Sequence, residues 1–222
     1  DAASFIFSSS CTVYGQAEKM PITENAPVQQ PMSPYGNTKK VGEEIIRDTA
    51  KASSINAILL RYFNPIGAHP TAAIGELPIG VPQNLVPFIT QTAIGLRQEL
   101  SVFGDDYPTP DGTAVRDYIH VVDLAKAHVV ALERLLEKKN TDRVETFNLG
   151  TGTGSSVLEV IQSFERVSGQ KLPYKIVPRR EGDVTEAYAN THKANTVLGW
   201  KAESTLDEAM ASAWTWEQKI RS

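Results

Sequence analysis

Tyr35 and Lys39, in the segment YGNTK, form the pattern Tyr-x-x-x-Lys. On an α-helix, positions i and i+4 lie on the same face, so the phenol and the ammonium would be one turn apart. A free tyrosine has a pKa of about 10 and is a poor base at neutral pH, whereas a neighbouring positive charge lowers that pKa. The pair could therefore take a proton from a hydroxyl group and return it. The pattern alone is weak, because a surface tyrosine and lysine would give the same letters.

Three serines, Ser8, Ser9 and Ser10, lie upstream of this pair and follow the apolar residues 5–7. A serine hydroxyl at the end of a strand could share a hydrogen bond with the tyrosine. Cys11 comes next, and we interpret it as a small packing residue because no histidine is placed to activate its thiol. The 4 histidines are dispersed, without metal-ligand spacing, so we expect no metal site.

The elements that would position these groups form a β-α-β unit. Residues 5–10 are typical of a buried parallel strand, and Ser33 with Pro34 favours the start of a helix that continues to Ala50. Residues 56–63 predict the next strand, which residues 64–67 end. A strand, a helix and a strand in this order predict a parallel α/β sheet.

Further elements follow along the chain. Residues 68–84 predict a loop, and Asp123 and Ser155 or Ser156 are candidate helix caps. The pattern predicts four helices, at 85–100, at 124–137, from the serine cap to Val167 and at 205–219. It predicts strands at 101–103, 118–121, 145–149 and 174–177.

Composition excludes several classes of partner. The formal net charge of -4 disfavours nucleic acid, although a few arginines could still hold a diphosphate. The chain has 1 cysteine, so no intrachain disulfide can form, which favours a reducing compartment such as the cytoplasm. No apolar run approaches the ~20 residues that cross a bilayer, so we expect no membrane.

Long segments of the chain resemble the extended short-chain dehydrogenase/reductases, and within them the UDP-hexose 4-epimerases. The resemblance runs from Phe5 to about Trp216. It is carried by FIFSSSCTVYG (5–15), SPYGNTK (33–39), LLRYFNPIGAHP (59–70), GVPQNLVPFI (80–89), VFGDDYPTPDGTAVRDYIHVVDLAKAHV (102–129), FNLGTGTGSSVLEV (147–160) and RREGDV (179–184).

The resemblance implies a role for each matching residue. Tyr35 would be the catalytic base, Lys39 would bind the cofactor ribose and lower the pKa of Tyr35, and Ser10 would join the proton relay. The residues expected to contact NAD are Ser8, Ser10, Tyr35, Lys39, Tyr62 and Phe63. Those expected to contact a UDP-sugar are Ser10, Cys11, Thr12, Tyr35, Asn64, Asn84, Leu85, Phe103, Arg116, Arg180, Asp183 and Ala187.

The implied fold is the C-terminal part of a doubly wound parallel Rossmann-type sheet with a smaller mixed α/β domain. Residues 1–67 would be the remainder of the NAD-binding domain, to which 118–149 return, and residues 68–117 and 150–222 would bind the UDP-sugar. The family's G-x-G-x-x-G turn, which holds the cofactor pyrophosphate, is not in this sequence, and the glycines at 150–154 have the wrong spacing. Gln83 stands where the family usually has a second asparagine, and Cys11 where alanine or threonine is common.

We therefore expect a piece that lacks the N-terminal half and does not turn over alone. Whether a second chain supplies that half is open, and the resemblance implies a homodimer. The implied reaction is NAD-dependent interconversion of UDP-galactose and UDP-glucose by oxidation at C4, rotation of the keto sugar and re-reduction.

Alternatives are a UDP-glucuronate epimerase or decarboxylase, and a truncated nucleotide-sugar-binding module without activity. The family's dehydratases carry Asp-Glu where this chain has Cys11 and Thr12, which argues against dehydration. The small Ala187 predicts that UDP-GlcNAc and UDP-GalNAc are also accepted.

Overall fold

The computed structural model describes residues 3–222, so the first two residues of the predicted NAD-binding domain lie outside it. The chain divides into two compact units. The first unit contains residues 3–63, 123–153 and 187–202, and the second contains 64–122, 154–186 and 203–222. The sequence prediction instead assigned 64–67 and 118–122 to the first domain, and 150–153 and 187–202 to the second. Its assignment of NAD to one domain and UDP-sugar to the other stays a prediction.

The first unit is built on a parallel sheet in which β2 (Asn56–Tyr62) lies between β1 (Ser4–Ser10) and β7 (Val144–Leu149). In register, Phe5 pairs with Ala57 and Ala57 with Val144, and β2 is an almost continuous buried apolar run. Such runs are typical of strands that are covered on both faces. The β-α-β prediction from residues 5–63 is confirmed.

The crossover helix α1 (Pro34–Ala52) connects β1 to β2. Ser33 caps it, since its Oγ accepts a hydrogen bond from Gly36 N, and Pro34 occupies the first position. The helix packs closely on β1: a Cβ at Gly42 would lie 2.6 Å from the Phe7 ring. Glycine at this position lets the helix carrying Tyr35 and Lys39 approach the strand that ends in Ser10.

The second unit contains short strands and the C-terminal helix. β3 (Asn64–Ile66) pairs in parallel with β6 (Tyr118–His120), and β4 (Leu100–Phe103) with β9 (Tyr174–Val177). β5 (Val115–Arg116) pairs antiparallel with β8 (Ser155–Ser156). Along the chain, the boundary between the second unit and the first falls within β10 (Glu186–Ala187).

The core of the second unit forms between helices α2 (Leu85–Ala93), α4 (Val157–Ser168) and α5 (Leu206–Arg221). Phe164 of α4 is fully buried and meets the Trp214 ring edge-on at 5.5 Å. Ser156 caps α4 and Thr205 caps α5, each with a capping box. The predicted cap at Ser155 or Ser156 and the predicted helix start at Thr205 are confirmed. Among the helices of residues 3–222, none is long and apolar enough to cross a membrane.

Two predicted helix boundaries are wrong. The helix predicted at 85–100 ends at Ala93, because Gly95 adopts a left-handed conformation (φ +84°) and Leu96 N turns back to Gln91 O. The helix predicted from Leu124 begins earlier, as α3 (Val121–Leu136). Asp123, the predicted N-cap, is therefore inside the first turn. The capping role belongs to His120, whose Nδ1 accepts a hydrogen bond from Val122 N.

Candidate active site

Tyr35 lies in the first turn of α1, directly after the Ser33 cap and Pro34. The positive end of the helix dipole favours negative charge in the first turn of a helix. Its side chain is half-exposed, so the phenol is accessible to a ligand from the solvent side. This position suits a tyrosine that must pass through the phenolate form.

Ser10 is the last residue of β1 and is buried. Its Oγ accepts hydrogen bonds from Thr12 N at 3.2 Å and from Thr12 Oγ1 at 3.0 Å. A serine hydroxyl has two acceptor lone pairs and one proton, so both lone pairs are engaged. Ser10 is left to act as a donor, which is the role that a proton relay with Tyr35 requires.

Lys39 lies one helical turn after Tyr35, as the spacing predicted. Its Nζ donates to the Ser8 backbone oxygen at 2.9 Å and lies 5.3 Å from the centroid of the Tyr35 ring and 5.4 Å from that of Phe7. Within residues 3–222 this is the one hydrogen bond that Nζ makes, and an ammonium carries three donors. Two donors therefore remain for hydroxyl groups of a ligand.

The pKa of Tyr35 is raised above its ordinary value, and the lowering that the sequence predicts from Lys39 and a positively charged nicotinamide ring stays a prediction. Partial burial, which disfavours the phenolate, is the largest cause, and the neighbouring Tyr62 raises the pKa further. The polar interaction with the Ser10 hydroxyl lowers it, and Cys11 raises it. None of these causes involves the Lys39 ammonium, which donates to the Ser8 backbone oxygen. The phenolate thus needs a further positive charge to form at neutral pH.

Ser8 and Tyr62 share a neighbour, His128 of α3. The Ser8 Oγ lies 2.9 Å from His128 Nε2, and His128 Nδ1 lies 2.9 Å from the Leu124 backbone oxygen. A carbonyl oxygen only accepts, so Nδ1 carries the proton and Nε2 of the neutral ring accepts from Ser8. The Tyr62 ring is tilted by 50° against this imidazole. The Ser8 hydroxyl thus donates to His128, and its contact with NAD stays a prediction.

Phe63 is buried in an apolar cluster with Val13, Tyr14 and Ile22, with Cys11 at its edge. Only 4% of the surface of Phe63 is exposed, so its ring acts mainly in packing, and its predicted contact with NAD stays a prediction. Thr12 lies with Cys11 in a short 3₁₀ helix, Cys11–Tyr14, that Ser10 caps. Ala187 is half-buried in β10.

In the second unit, four of the predicted residues come together around one carboxylate. Asp183 Oδ1 accepts from Arg116 at 3.1 Å and from Arg180 at 3.2 Å, and the Arg180 guanidinium lies 5.6 Å from the centroid of the Phe103 ring. Two guanidinium groups that share one carboxylate leave a net positive charge and unused N–H donors. Such a group matches phosphate oxygens beside an aromatic platform.

Asn84, Leu85 and Asn64 lie on other elements of the same unit. Asn84 directly precedes α2, and its side chain donates to Glu76 Oε1 at 2.8 Å, while Leu85 packs on the core. Asn64 opens β3, where its backbone N–H donates to the Asp117 oxygen at 2.9 Å. No hydrogen bond or ion pair within residues 3–222 joins Asn84 to Arg116, Arg180 or Asp183.

The sequence reasoning missed a buried polar group behind Ser10. Glu43 accepts hydrogen bonds from Ser9 Oγ at 2.5 Å and from Arg61 Nε at 2.8 Å, and all three residues are buried. Two signals in the sequence could have revealed it. Glu43 follows Tyr35 and Lys39 at the same four-residue spacing, and Arg61 interrupts the apolar strand 57–63.

Comparison with known proteins gives the family of this fold and site. The model of the GDP-mannose 4,6 dehydratase family matches residues 1–213. The chain belongs to this family. Ser10 is followed by Cys11 and Thr12, and the sequence prediction that this pair argues against dehydration stays a prediction.

Individual members are similar over nearly the whole chain. UDP-glucose 4-epimerase of Mus musculus is 53% identical over 215 residues, which cover 96% of this chain and 61% of that protein. The chain thus spans about three fifths of the length of the curated relatives it matches.

Solved structures of UDP-glucose 4-epimerases superpose closely on the chain. UDP-glucose-4-epimerase from Stenotrophomonas maltophila, with bound NAD and formylated UDP-arabinopyranose, gives a TM-score of 0.94 at 49% identity, over 98% of this chain and 64% of that one. The Bifidobacterium longum enzyme, in complex with NAD+ and UDP, gives 0.92 at 49% identity, over 99% and 64%. The UDP-Glc/GlcNAc 4-epimerase from Campylobacter jejuni gives 0.80 at 35% identity, over 98% and 65%.

Proposed function

We propose that the protein to which this chain belongs interconverts UDP-galactose and UDP-glucose in an NAD-dependent reaction. The observation that carries the proposal is the arrangement of Tyr35, Lys39 and the donor Ser10 at the end of β1. The epimerases to which the chain is 53% and 49% identical support the substrate class. Because the chain spans about three fifths of their length, the activity is proposed for the whole protein.

The residues of the first unit fit the nicotinamide and ribose end of NAD. Lys39 has two donors for ribose hydroxyls, and Tyr62 offers an aromatic ring at the end of β2. When bound, NAD would accept a hydride from C4 of the sugar and return it, and its positive ring would lower the pKa of Tyr35. Tyr35 would then take the proton from the C4 hydroxyl, with Ser10 donating to the phenolate oxygen.

The residues of the second unit fit the UDP end of the substrate. Arg116 and Arg180 would bind the diphosphate, Asp183 the ribose hydroxyls and Phe103 the uracil. Binding energy would then come from groups far from the reacting carbon. A keto sugar held in this way can turn about its diphosphate and present its other face. The resemblance also leads us to propose that the protein is a cytoplasmic homodimer.

The test is the conversion of UDP-galactose to UDP-glucose by the intact protein, compared with its Tyr35→Phe variant. We expect turnover to fall by roughly 10²–10⁴-fold in the variant, with little change in UDP-sugar affinity, because only the proton transfer is lost. Tyr174→Phe, which removes an exposed hydroxyl of β9, is the matched control. Turnover of Tyr35→Phe close to that of Tyr174→Phe would contradict the role of Tyr35.

A non-catalytic nucleotide-sugar-binding module is distinguished by the cofactor itself. An epimerase should show the absorbance of reduced NAD on addition of UDP-sugar, whereas a binding module should show none. Offering UDP-glucuronate in the same assay separates the neutral-hexose epimerase from an enzyme for acidic sugars.

We also propose that the protein accepts UDP-GlcNAc and UDP-GalNAc, because Ala187 offers only a methyl group at the position expected to face the hexose. The similarity to the UDP-Glc/GlcNAc 4-epimerase of Campylobacter jejuni supports this extension. We expect Ala187→Tyr to lower kcat/KM for UDP-GalNAc far more than for UDP-galactose. An unchanged ratio of the two values would remove Ala187 from the determinants of specificity.

A further inference from the structure

Ser9, Glu43 and Arg61 form a buried polar group directly beside the last residue of β1. Their exposed fractions are 0%, 3% and 3%. Arg61 donates to both oxygens of Glu43, at 2.8 Å and 2.5 Å, and Ser9 donates to the same carboxylate at 2.5 Å. None of the three is among the residues that the proposed reaction uses.

The position of Glu43 connects this group to the candidate catalytic residues. Tyr35, Lys39 and Glu43 are spaced by four residues, so they lie along one face of α1. Each of them meets a different serine of β1: Tyr35 interacts with Ser10, Lys39 with the Ser8 oxygen and Glu43 with the Ser9 hydroxyl. Hydrogen bonds therefore tie two successive turns of the helix to two successive residues of the strand, next to the turn that carries Tyr35.

Directional bonds fix a helix along a strand more strictly than apolar packing does. The planar guanidinium of Arg61 can donate to both carboxylate oxygens in only one orientation. Its carbon Cζ also lies 4.8 Å from the centroid of the Tyr14 ring. The Tyr14 hydroxyl donates to Asn148 Oδ1 of β7 at 2.6 Å. The carboxylate of Glu43, which belongs to α1, is thus bound at a fixed position to side chains of β1 and β2. A displacement of α1 along β1 would leave buried charges without their partners, which is costly.

We propose that Ser9, Glu43 and Arg61 act as positioning residues for the proton transfer, because they fix α1 along β1 and thereby set Tyr35 against Ser10. The proposal rests on the proposed function, since Tyr35 and Ser10 are its proton-transfer groups. The new element is that Tyr35 and Ser10 are positioned by residues that are not expected to contact the sugar or the cofactor.

Ser9→Ala is the informative variant, because Glu43→Gln leaves a buried arginine unpaired and can prevent folding. Ser163→Ala is its matched control: Ser163 is also fully buried and donates to Asp207, a carboxylate that Arg166 holds with two hydrogen bonds. Both variants lose one buried serine hydroxyl that donates to a carboxylate held by arginine, and the urea midpoint of each variant measures the stability that the loss costs.

In the intact protein, we expect Ser9→Ala to lower kcat for UDP-galactose about 10-fold or more, with KM changed less than about twofold, since sub-ångström to 1 Å misplacements act on the chemical step. Ser163→Ala should keep the wild-type kcat. Equal kcat values for the two variants would overturn the proposal, whereas a wild-type protein without turnover would overturn the proposed function instead.

The titration of Tyr35 gives a second measurement that does not need turnover. Followed by ultraviolet difference absorbance against Tyr35→Phe, it should move to higher pH in Ser9→Ala, because a misplaced Ser10 no longer lowers the phenol pKa. The other groups beside the phenol, Lys39 of α1, Cys11 of the 3₁₀ helix and Tyr62 of β2, are the same in both proteins. An unchanged titration would overturn the positioning role even if kcat had fallen.

Discussion

At the scale of single residues, the charges of the second unit decide how a diphosphate would be held. Arg180 is largely exposed and pairs with Asp183, while its neighbour Arg179 pairs with Asp106 and lies 4.0 Å from the centroid of the Tyr107 ring. The two adjacent arginines therefore point to different partners. This difference makes Arg179 a natural control for Arg180.

We predict that Arg180→Ala weakens the binding of UDP and of UDP-galactose by the same factor, roughly 10-fold or more, since a charge-assisted hydrogen bond to phosphate does not depend on the hexose. Calorimetric titration of the intact protein with both ligands measures this. Arg179→Ala should leave both affinities near the wild-type values. A selective loss for UDP-galactose would place Arg180 at the hexose instead of the diphosphate.

Residue types and spacing predicted the relative positions of Tyr35 and Lys39 better than their electrostatics. The four-residue spacing of Tyr35 and Lys39 was sufficient to place both on one helical face beside Ser10. Spacing did not predict that the pKa of Tyr35 is raised, because this direction depends on how deeply the phenol is buried and on the position of Tyr62. Neither quantity can be read from spacing.

At the scale of elements, the segment between β4 and β5 connects two strands that end in predicted site residues, Phe103 and Arg116. It is held by its own hydrogen bonds. Asp111 Oδ1 accepts from Thr113 N at 2.9 Å, Ser156 donates to the other oxygen of Asp111, and Tyr107 N donates to Gly112 O at 3.0 Å. Burial alone would raise the pKa of Asp111, but the bonds from Ser156 and Thr113 hold it below its ordinary value.

We predict that Gly112→Ala destabilises the chain by about 3 kcal/mol or more, from the sum of a left-handed backbone and a steric overlap. Gly112 has φ +79°, and a Cβ there would overlap the Asp105 carbonyl oxygen. Gly169→Ala separates the two contributions, because Gly169 is also left-handed (φ +68°) but nothing lies within 4 Å of its Cβ position. Equal losses of unfolding free energy in urea for both variants would show that the segment can yield.

Element ends were predictable where a local signal was strong. The capping serine and Gly169 fixed α4, since both act through the backbone of neighbouring residues. The start of α3 was missed because the cap comes from the His120 ring, which is a side chain with weak capping preference. The end of α2 was missed because Gly95 was judged tolerable inside the helix, whereas its left-handed conformation ends it.

At the scale of the whole molecule, each unit has its own core, and buried tyrosines within these cores make stability depend on pH. Burial raises the pKa of Tyr118, in the core of the second unit, to about 12, although the nearby Arg116 opposes this and Asp183 adds to it. Burial also raises the pKa of Tyr14 in the first unit, against the effect of Arg61.

We predict that the unfolding free energy falls as pH rises above about 10, because the unfolded chain then releases the tyrosine proton while the folded chain retains it. For Tyr118 the stability is complete below about pH 10 and is lost as the pH approaches 12, a change of roughly 3 kcal/mol. Urea unfolding at about pH 9 and about pH 11 measures roughly half of this change, about 1.4 kcal/mol, because pH 11 lies only about one unit above the pKa of the unfolded tyrosine. Tyr118→Phe keeps the ring in the core and removes the titrating group, so its stability should change less between these pH values than that of the wild type. Tyr174→Phe, which alters an exposed ring of β9, should retain the full change. If Tyr118→Phe and the wild type lose the same free energy, the alkaline loss arises elsewhere in the molecule.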